Sequence, residues 1–237
     1  MEHLNIGKHI SGQFNAELEE IRNNVMAMGG LVEQQLTDAL DALARSNKAE
    51  AEQIIERDRR VNSMEVYIDE ECTRIIAKRQ PAASDLRLVL AISKAVTELE
   101  RIGDSAERIA RLVTQLHNEP SRNRTMMTSI DSMGRHAQRM LHNVLDAFAR
   151  MDVEAAMQIH EEDVRLDEAY EGVVRQLMTF MMEDPRSIPN ILEVLWAVRA
   201  LERVGDRCKN ICEYIIYYVK GKDVRHLDRS QVQDIVR

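Results

Sequence analysis

Glu100 and Asp104 stand four residues apart, as do Glu202 and Asp206. Each pair sits in one repeated phrase, Leu99-Glu100-Arg101-Ile102-Gly103-Asp104 and Leu201-Glu202-Arg203-Val204-Gly205-Asp206. On a helix this spacing stacks the two carboxylates one turn apart on a single face. Like charges so placed cost an isolated helix about 0.2–0.5 kcal/mol, and a helical Gly costs about 1 kcal/mol more. Building that fault twice points to a cation, or a basic group, between the acids. Two competing readings stand beside it. The acids can be flanking charges paired with Lys or Arg on the next helix, or common ancestry can have preserved the match.

A second set of acids repeats with the first. Asp58 and Asn62 lie one turn apart in the first half, and Asp163 and Asp167 hold the equivalent places in the second. Glu65 and Glu171 continue these polar edges without being equivalent to each other. If the helices bearing the two sets are antiparallel neighbours, each half gathers oxygen ligands from both. Such clusters suit Mg²⁺, Ca²⁺, Mn²⁺ or iron better than soft-ligand metals. The plainer alternative for this second set is a solvated face.

Other chemistries find less support. A di-iron carboxylate enzyme uses Glu-x-x-His on two helices, and no His here has a Glu three residues before it. Cys208 and Cys212 are one turn apart and could share a zinc, but both fall on an apolar seam and read better as small core residues. There is no Gly-rich phosphate loop, dinucleotide fingerprint or nucleophile motif. Met126, Met127, Met133, Met140, Met178, Met181 and Met182 supply adaptable apolar contacts in the second half, a stripe that would suit a partner if exposed. Tyr214, Tyr217 and Tyr218 could serve the same end.

The elements that must hold these residues are long helices. Apolar residues recur every three or four positions from about Gln13 to Ala44, until Ser46-Asn47 interrupts. A second helix is expected from about Ala49 to Lys78, and a third from about Asp85 to Leu116 with Ser84 as its N-cap. The third helix's seam runs Val89, Ile92, Val96, Leu99, Gly103, Ala106, Ala110, Val113. Asn118–Thr125 reads as a linker, after which the pattern restarts with an offset of about 105 residues, falling to about 102 at the last long helix. Met28-Gly29 returns as Met133-Gly134, and Leu40–Arg45 as Leu145–Arg150. The last seam is Ile191, Val194, Val198, Leu201, Gly205, Cys208, Cys212, Ile215, with Ser187 as the expected cap. The chain therefore reads as all-α, a tandem duplication of a three-helix bundle, with halves at 1–118 and 119–237. The stretch after Gly221 is polar and is expected to fray.

The bulk numbers agree. In 237 residues, 44% are hydrophobic, 30% charged and 4% aromatic, a helix-forming composition with room for a sizeable core. The net charge of −8 argues against non-specific nucleic-acid binding. No apolar run approaches a bilayer span, Met1–Ser11 lacks the features of a secretory signal, and three cysteines fit a reducing compartment. The expected location is the cytoplasm.

Two three-helix halves, each with an acid-xxx-Asp motif on its third helix, resemble the PhoU family of bacterial phosphate-signalling regulators. The likeness extends over nearly the whole chain, including Leu4–Phe14 and Ala77-Lys78-Arg79-Gln80-Pro81. It implies a non-enzymatic adaptor that links a phosphate ABC transporter, through its ATPase subunit, to a sensor histidine kinase and restrains the phosphate-starvation response. It further implies a homodimer that meets the membrane only through membrane proteins. Cations (Mg, Mn, Fe, Ca or Zn) are implied at Glu100/Asp104 and Glu202/Asp206, with Asp58, Asp163 and Asp167 as co-ligands. One departure matters: Asn62 stands where the second half has Asp167, so the charge count predicts weaker binding at the first site. A metal-dependent hydrolase or oxidase, and a structural scaffold whose acids pair with Arg and Lys, are the alternatives. Nothing in periodicity or composition would have said phosphate.

Overall fold

A computed structural model describes residues 12–115 and 124–236. The order is α1 (Gly12–Arg45), α2 (Lys48–Arg79), α3 (Ala83–Gln115), α4 (Arg124–Arg150), α5 (Val153–Glu183), α6 (Ile188–Lys220) and a short α7 (Arg229–Val236), with a 3₁₀ turn at Pro185–Ser187. No strand occurs among the described residues. None of the helices is long and apolar enough to cross a membrane.

The seams are buried as their spacing predicts. Leu18, Ile21, Val25, Met28, Val32 and Leu36 of α1 are inaccessible or nearly so, and every seam residue of α3 and α6 is buried. Helix α2 packs on α3, and α5 on α6, as expected of neighbours joined by short turns. The halves meet chiefly through α3 against α6, so the two motif-bearing helices lie side by side in the middle of the molecule.

The duplication is visible in the turns. Ser46 and Met151 both take left-handed backbone angles (φ 56° and 50°). The next residue caps the following helix: Asn47 accepts from the Glu50 amide, and Asp152 from the Ala155 amide. Each fills one of the orphan N–H sites at a helix start. The halves also interlock reciprocally. A Cβ added at Gly29 would collide with Leu145, and one added at Gly134 would collide with Leu40, the equivalent pair. His142 meets Glu33 at 2.8 Å, and Gln138 donates to Thr37 at 2.6 Å, which continues the antiparallel register of α1 and α4.

Several expectations need correction. Helix α3 opens at Ala83, so Ser84 lies within its first turn and is not the residue before it. Ser187 gives α6 no side-chain cap; its hydroxyl donates to the Asp184 carbonyl, and Asp184 caps the 3₁₀ turn that leads into α6. The stretch after Gly221 does not fray throughout: Val224 and Val232 are buried, and Lys220 donates to the Val236 carbonyl at 2.6 Å. Most of the expected linker, at 118–123, falls outside the described residues, and α4 already begins at Arg124. The opening Leu4–Ser11 also lies outside them.

Candidate metal centres at two carboxylate corners

In the first half, α2 and α3 bring Asp58, Glu65, Glu100 and Asp104 to one corner. The glycine explains how. A Cβ at Gly103 would stand 3.4 Å from Asp58 Oδ1 and 3.2 Å from Val61, so the bare helix surface lets the buried Asp58 press against α3. Asp58 accepts from Gln35 at 2.9 Å and from Asn62 at 3.2 Å, both neutral donors. Among the described residues, no Lys or Arg stands within ion-pair distance of these four carboxylates. The strain shows in their protonation. Burial, then the charges of Asp104, Glu65 and Asp58, pushes Glu100 up to about 7. Burial and Asp58 raise Asp104, and burial raises Glu65.

The second corner repeats the backbone plan with different neighbours. Asp163, Asp167, Glu202 and Asp206 converge from α5 and α6. A Cβ at Gly205 would lie 3.1 Å from Asp163 Oδ1 and would collide with Leu166. Burial raises Glu202, Asp206 and Asp167; the next largest push comes from Asp206 on Glu202 and from Asp163 on the other two. Here the corner holds a cation of its own. Lys209 Nζ donates to Asp163 Oδ2 at 3.1 Å. Burial works against the charge of Lys209, yet its bond to Asp163 keeps it above the usual lysine value. The other oxygen, Asp163 Oδ1, is buried without a partner, as is Glu202 Oε2.

The structure thus brings together the acids named from sequence, and among the described residues the four motif carboxylates form no ion pair with a basic side chain. It adds Glu65 and Lys209. Lys209 was findable: it follows Asp206 by three residues, on the same helical face, where the first half has Glu107 after Asp104. Spacing alone places Glu65 on a polar edge, and its position beside Glu100 depends on how α2 packs. Glu171 instead pairs with Arg175 on the surface, and Tyr170 takes the place equivalent to Glu65, its hydroxyl bonded to Arg199 at 3.3 Å. As the side chains stand, no three ligand-type groups among the described residues converge closely enough to hold a metal ion. A cation would have to draw them inward.

The remaining sequence features also have places. Cys208 and Cys212 are wholly buried free thiols, raised by burial, as core residues should be. Met133 and Met140 are core, whereas Met178 and Met182 are exposed. Tyr214 turns inward to bond Glu98 at 3.3 Å, and Tyr218 packs against the core, so they form no free aromatic surface.

The sequence profile of the PhoU domain matches residues 25–113 and 130–215, one copy on each helical half. The chain belongs to the PhoU family. Over 236 residues it is 56% identical to the phosphate-specific transport system accessory protein PhoU of Escherichia coli K12, covering all of this chain and 97% of that protein. The Serratia marcescens PhoU is 57% identical over the same length, covering 100% and 96%. The crystal structure of PhoU from Pseudomonas aeruginosa superposes with a TM-score of 0.85 at 48% identity, covering 89% of this chain and 100% of that one. That of the phosphate transport system regulatory protein PhoU from Streptococcus pneumoniae gives 0.83 at 33%, covering 90% and 99%. PhoU relatives thus share both the six-helix plan and its length.

Proposed function

We propose that this chain is a cytoplasmic, non-enzymatic accessory regulator of phosphate-specific transport. In this reading it meets the ATPase subunit of a phosphate ABC transporter, holds a sensor histidine kinase in check when phosphate is ample, and works as a homodimer. The observation that carries the reading is kinship over the full length: 56% identity across 236 residues to a protein named for that system.

The two corners are its cation sites. Asp58, Glu65, Glu100 and Asp104 would hold one ion; Asp163, Asp167, Glu202 and Asp206 would hold the other. Hard oxygen donors, carboxyls raised by burial and then by mutual repulsion, and unpartnered buried oxygens at Asp163 and Glu202 fit an ion of the Mg²⁺, Mn²⁺, Ca²⁺ or iron kind, with Zn²⁺ also open. A bound ion would offset that repulsion and clamp α2 to α3, or α5 to α6. Neither corner is assigned a catalytic residue.

Deleting the gene tests the signalling role. Phosphate-starvation reporters should then be high in phosphate-replete cells, and expression that stays repressed would overturn it. Affinity capture from phosphate-replete cells should recover the transporter ATPase and the kinase.

A further inference from the structure

Between α3 and α6 lies a groove of about 750 Å³. Six arginines line it, namely Arg101, Arg108, Arg111, Arg199, Arg203 and Arg207, against three acids, Asp104, Glu107 and Glu193. This local positive excess sits on a chain whose net charge is −8. Internal pairing accounts for only part of it. Arg101 and Arg207 share Glu98 at 3.5 and 3.4 Å, and Arg111 pairs with Glu107 at 2.5 Å. Arg199 has the neutral Tyr170 hydroxyl, while Arg108 and Arg203 have no hydrogen-bond or ion-pair partner among the described residues. Trp196, the sole tryptophan, lines the same groove and is 53% exposed. Positions 196, 199, 203 and 207 follow three- and four-residue steps, so the indole and three guanidiniums form one stripe along about 16 Å of α6.

We propose that this groove binds a nucleoside polyphosphate, with the base against Trp196 and the phosphates on Arg108, Arg199 and Arg203. Guanidinium forks match phosphate oxygens in charge and geometry, and an indole face stacks on any base. The volume falls within the roughly 300–1,000 Å³ of small-molecule sites. An acidic protein segment would satisfy the arginines too, but the exposed indole and the confined volume favour the nucleotide. The groove shares Asp104 with the first cation corner, so nucleotide binding is read with that corner kept free of metal.

The test titrates full-length protein with ATP, inorganic triphosphate and a hexaglutamate peptide, with EDTA present so that the carboxylate corners take no part. Trp196 fluorescence and titration calorimetry report binding. ATP should bind saturably at one site per chain and perturb the indole. Arg108→Ala with Arg203→Ala should weaken it about tenfold or more. Trp196→Leu should weaken ATP but not triphosphate. All three side chains are exposed, and circular dichroism verifies that each variant keeps its helices. Absence of saturable ATP binding, binding untouched by the arginine changes, or triphosphate or peptide binding as tightly as ATP would each overturn the assignment.

Discussion

Lys209 donates a hydrogen bond to Asp163 across 3.1 Å, and the residue in its place in the first half is Glu107. That exchange alters the balance drawn from Asn62. Counting acids on two helices leaves the first corner one charge short, but packing adds Glu65 to it and adds Lys209 to the second. Among the described residues, four carboxylates in the first corner have no ion pair, against three in the second; nearby arginines act on both corners, so the Lys209–Asp163 pair is the difference. The first corner has the greater need of an external cation.

Metal content should follow that order. Glu100→Ala with Asp104→Ala should remove more bound divalent metal, by elemental analysis after dialysis, than Glu202→Ala with Asp206→Ala. Equal losses, or a larger loss in the second half, would restore the simpler count based on Asn62.

Lys209 serves as a built-in counterion, so its removal should be felt in stability. Lys209→Met leaves both oxygens of the buried Asp163 without a partner. Leaving a buried polar group unsatisfied costs about 1–3 kcal/mol. Urea denaturation should show a loss of that order, and millimolar Mg²⁺ or Mn²⁺ should recover part of it. A variant as stable as the parent, or indifferent to cations, would show that Asp163 finds water enough.

Glu100 sets a pH dependence. Its folded carboxyl, at about 7, holds a proton more tightly than at its ordinary value of 4.5. The folded state then binds more protons than the unfolded chain between those values, so this group's contribution is most favourable below pH 4.5 and falls as pH rises toward 7. Subtracting the stability profile of Glu100→Gln from that of the parent, both metal-free, isolates the effect. The difference should decline across that window and flatten when divalent cation is added. A difference that rises with pH would mean that Glu100 has a basic partner in solution.

What the sequence showed depended on what periodicity can report. Three- and four-residue spacing says which face of a helix is buried, so the α3 and α6 seams were legible residue by residue, as were the acids beside them. It does not say what a face packs against. The reciprocal fit of Gly29 with Leu145 and Gly134 with Leu40 was therefore hidden, although the repeat itself was plain. Lys209 belongs to the same class: its place on the helix could be read, but its bond to a residue 46 positions away could not. The stretch after Gly221 reads as polar because its apolar anchors, Val224, Val232, Ile235 and Val236, are few and widely spaced among polar residues. Cap chemistry was misread at Ser187 because Asp184, three residues earlier, supplies a stronger acceptor.

The two motif glycines, alike in sequence, should differ in energy. A Cβ at Gly103 meets Val61 at 3.2 Å and Asp58 at 3.4 Å, contacts that small shifts relieve. Replacing a mid-helix Gly by Ala gains about 1 kcal/mol of helix propensity, so Gly103→Ala should be close to neutral. At Gly205 the same atom collides with Leu166 and stands 3.1 Å from Asp163, which is also held by Lys209. Overpacking of this kind costs about 1–3 kcal/mol, more than the propensity gain. Gly205→Ala should therefore destabilise in urea denaturation, and combining it with Leu166→Ala should cost less than the two single losses added together, since the truncated side chain makes room. Equal effects at the two glycines, or strict additivity with Leu166→Ala, would show that the close approach of α5 to α6 at this point is not what the glycine is for.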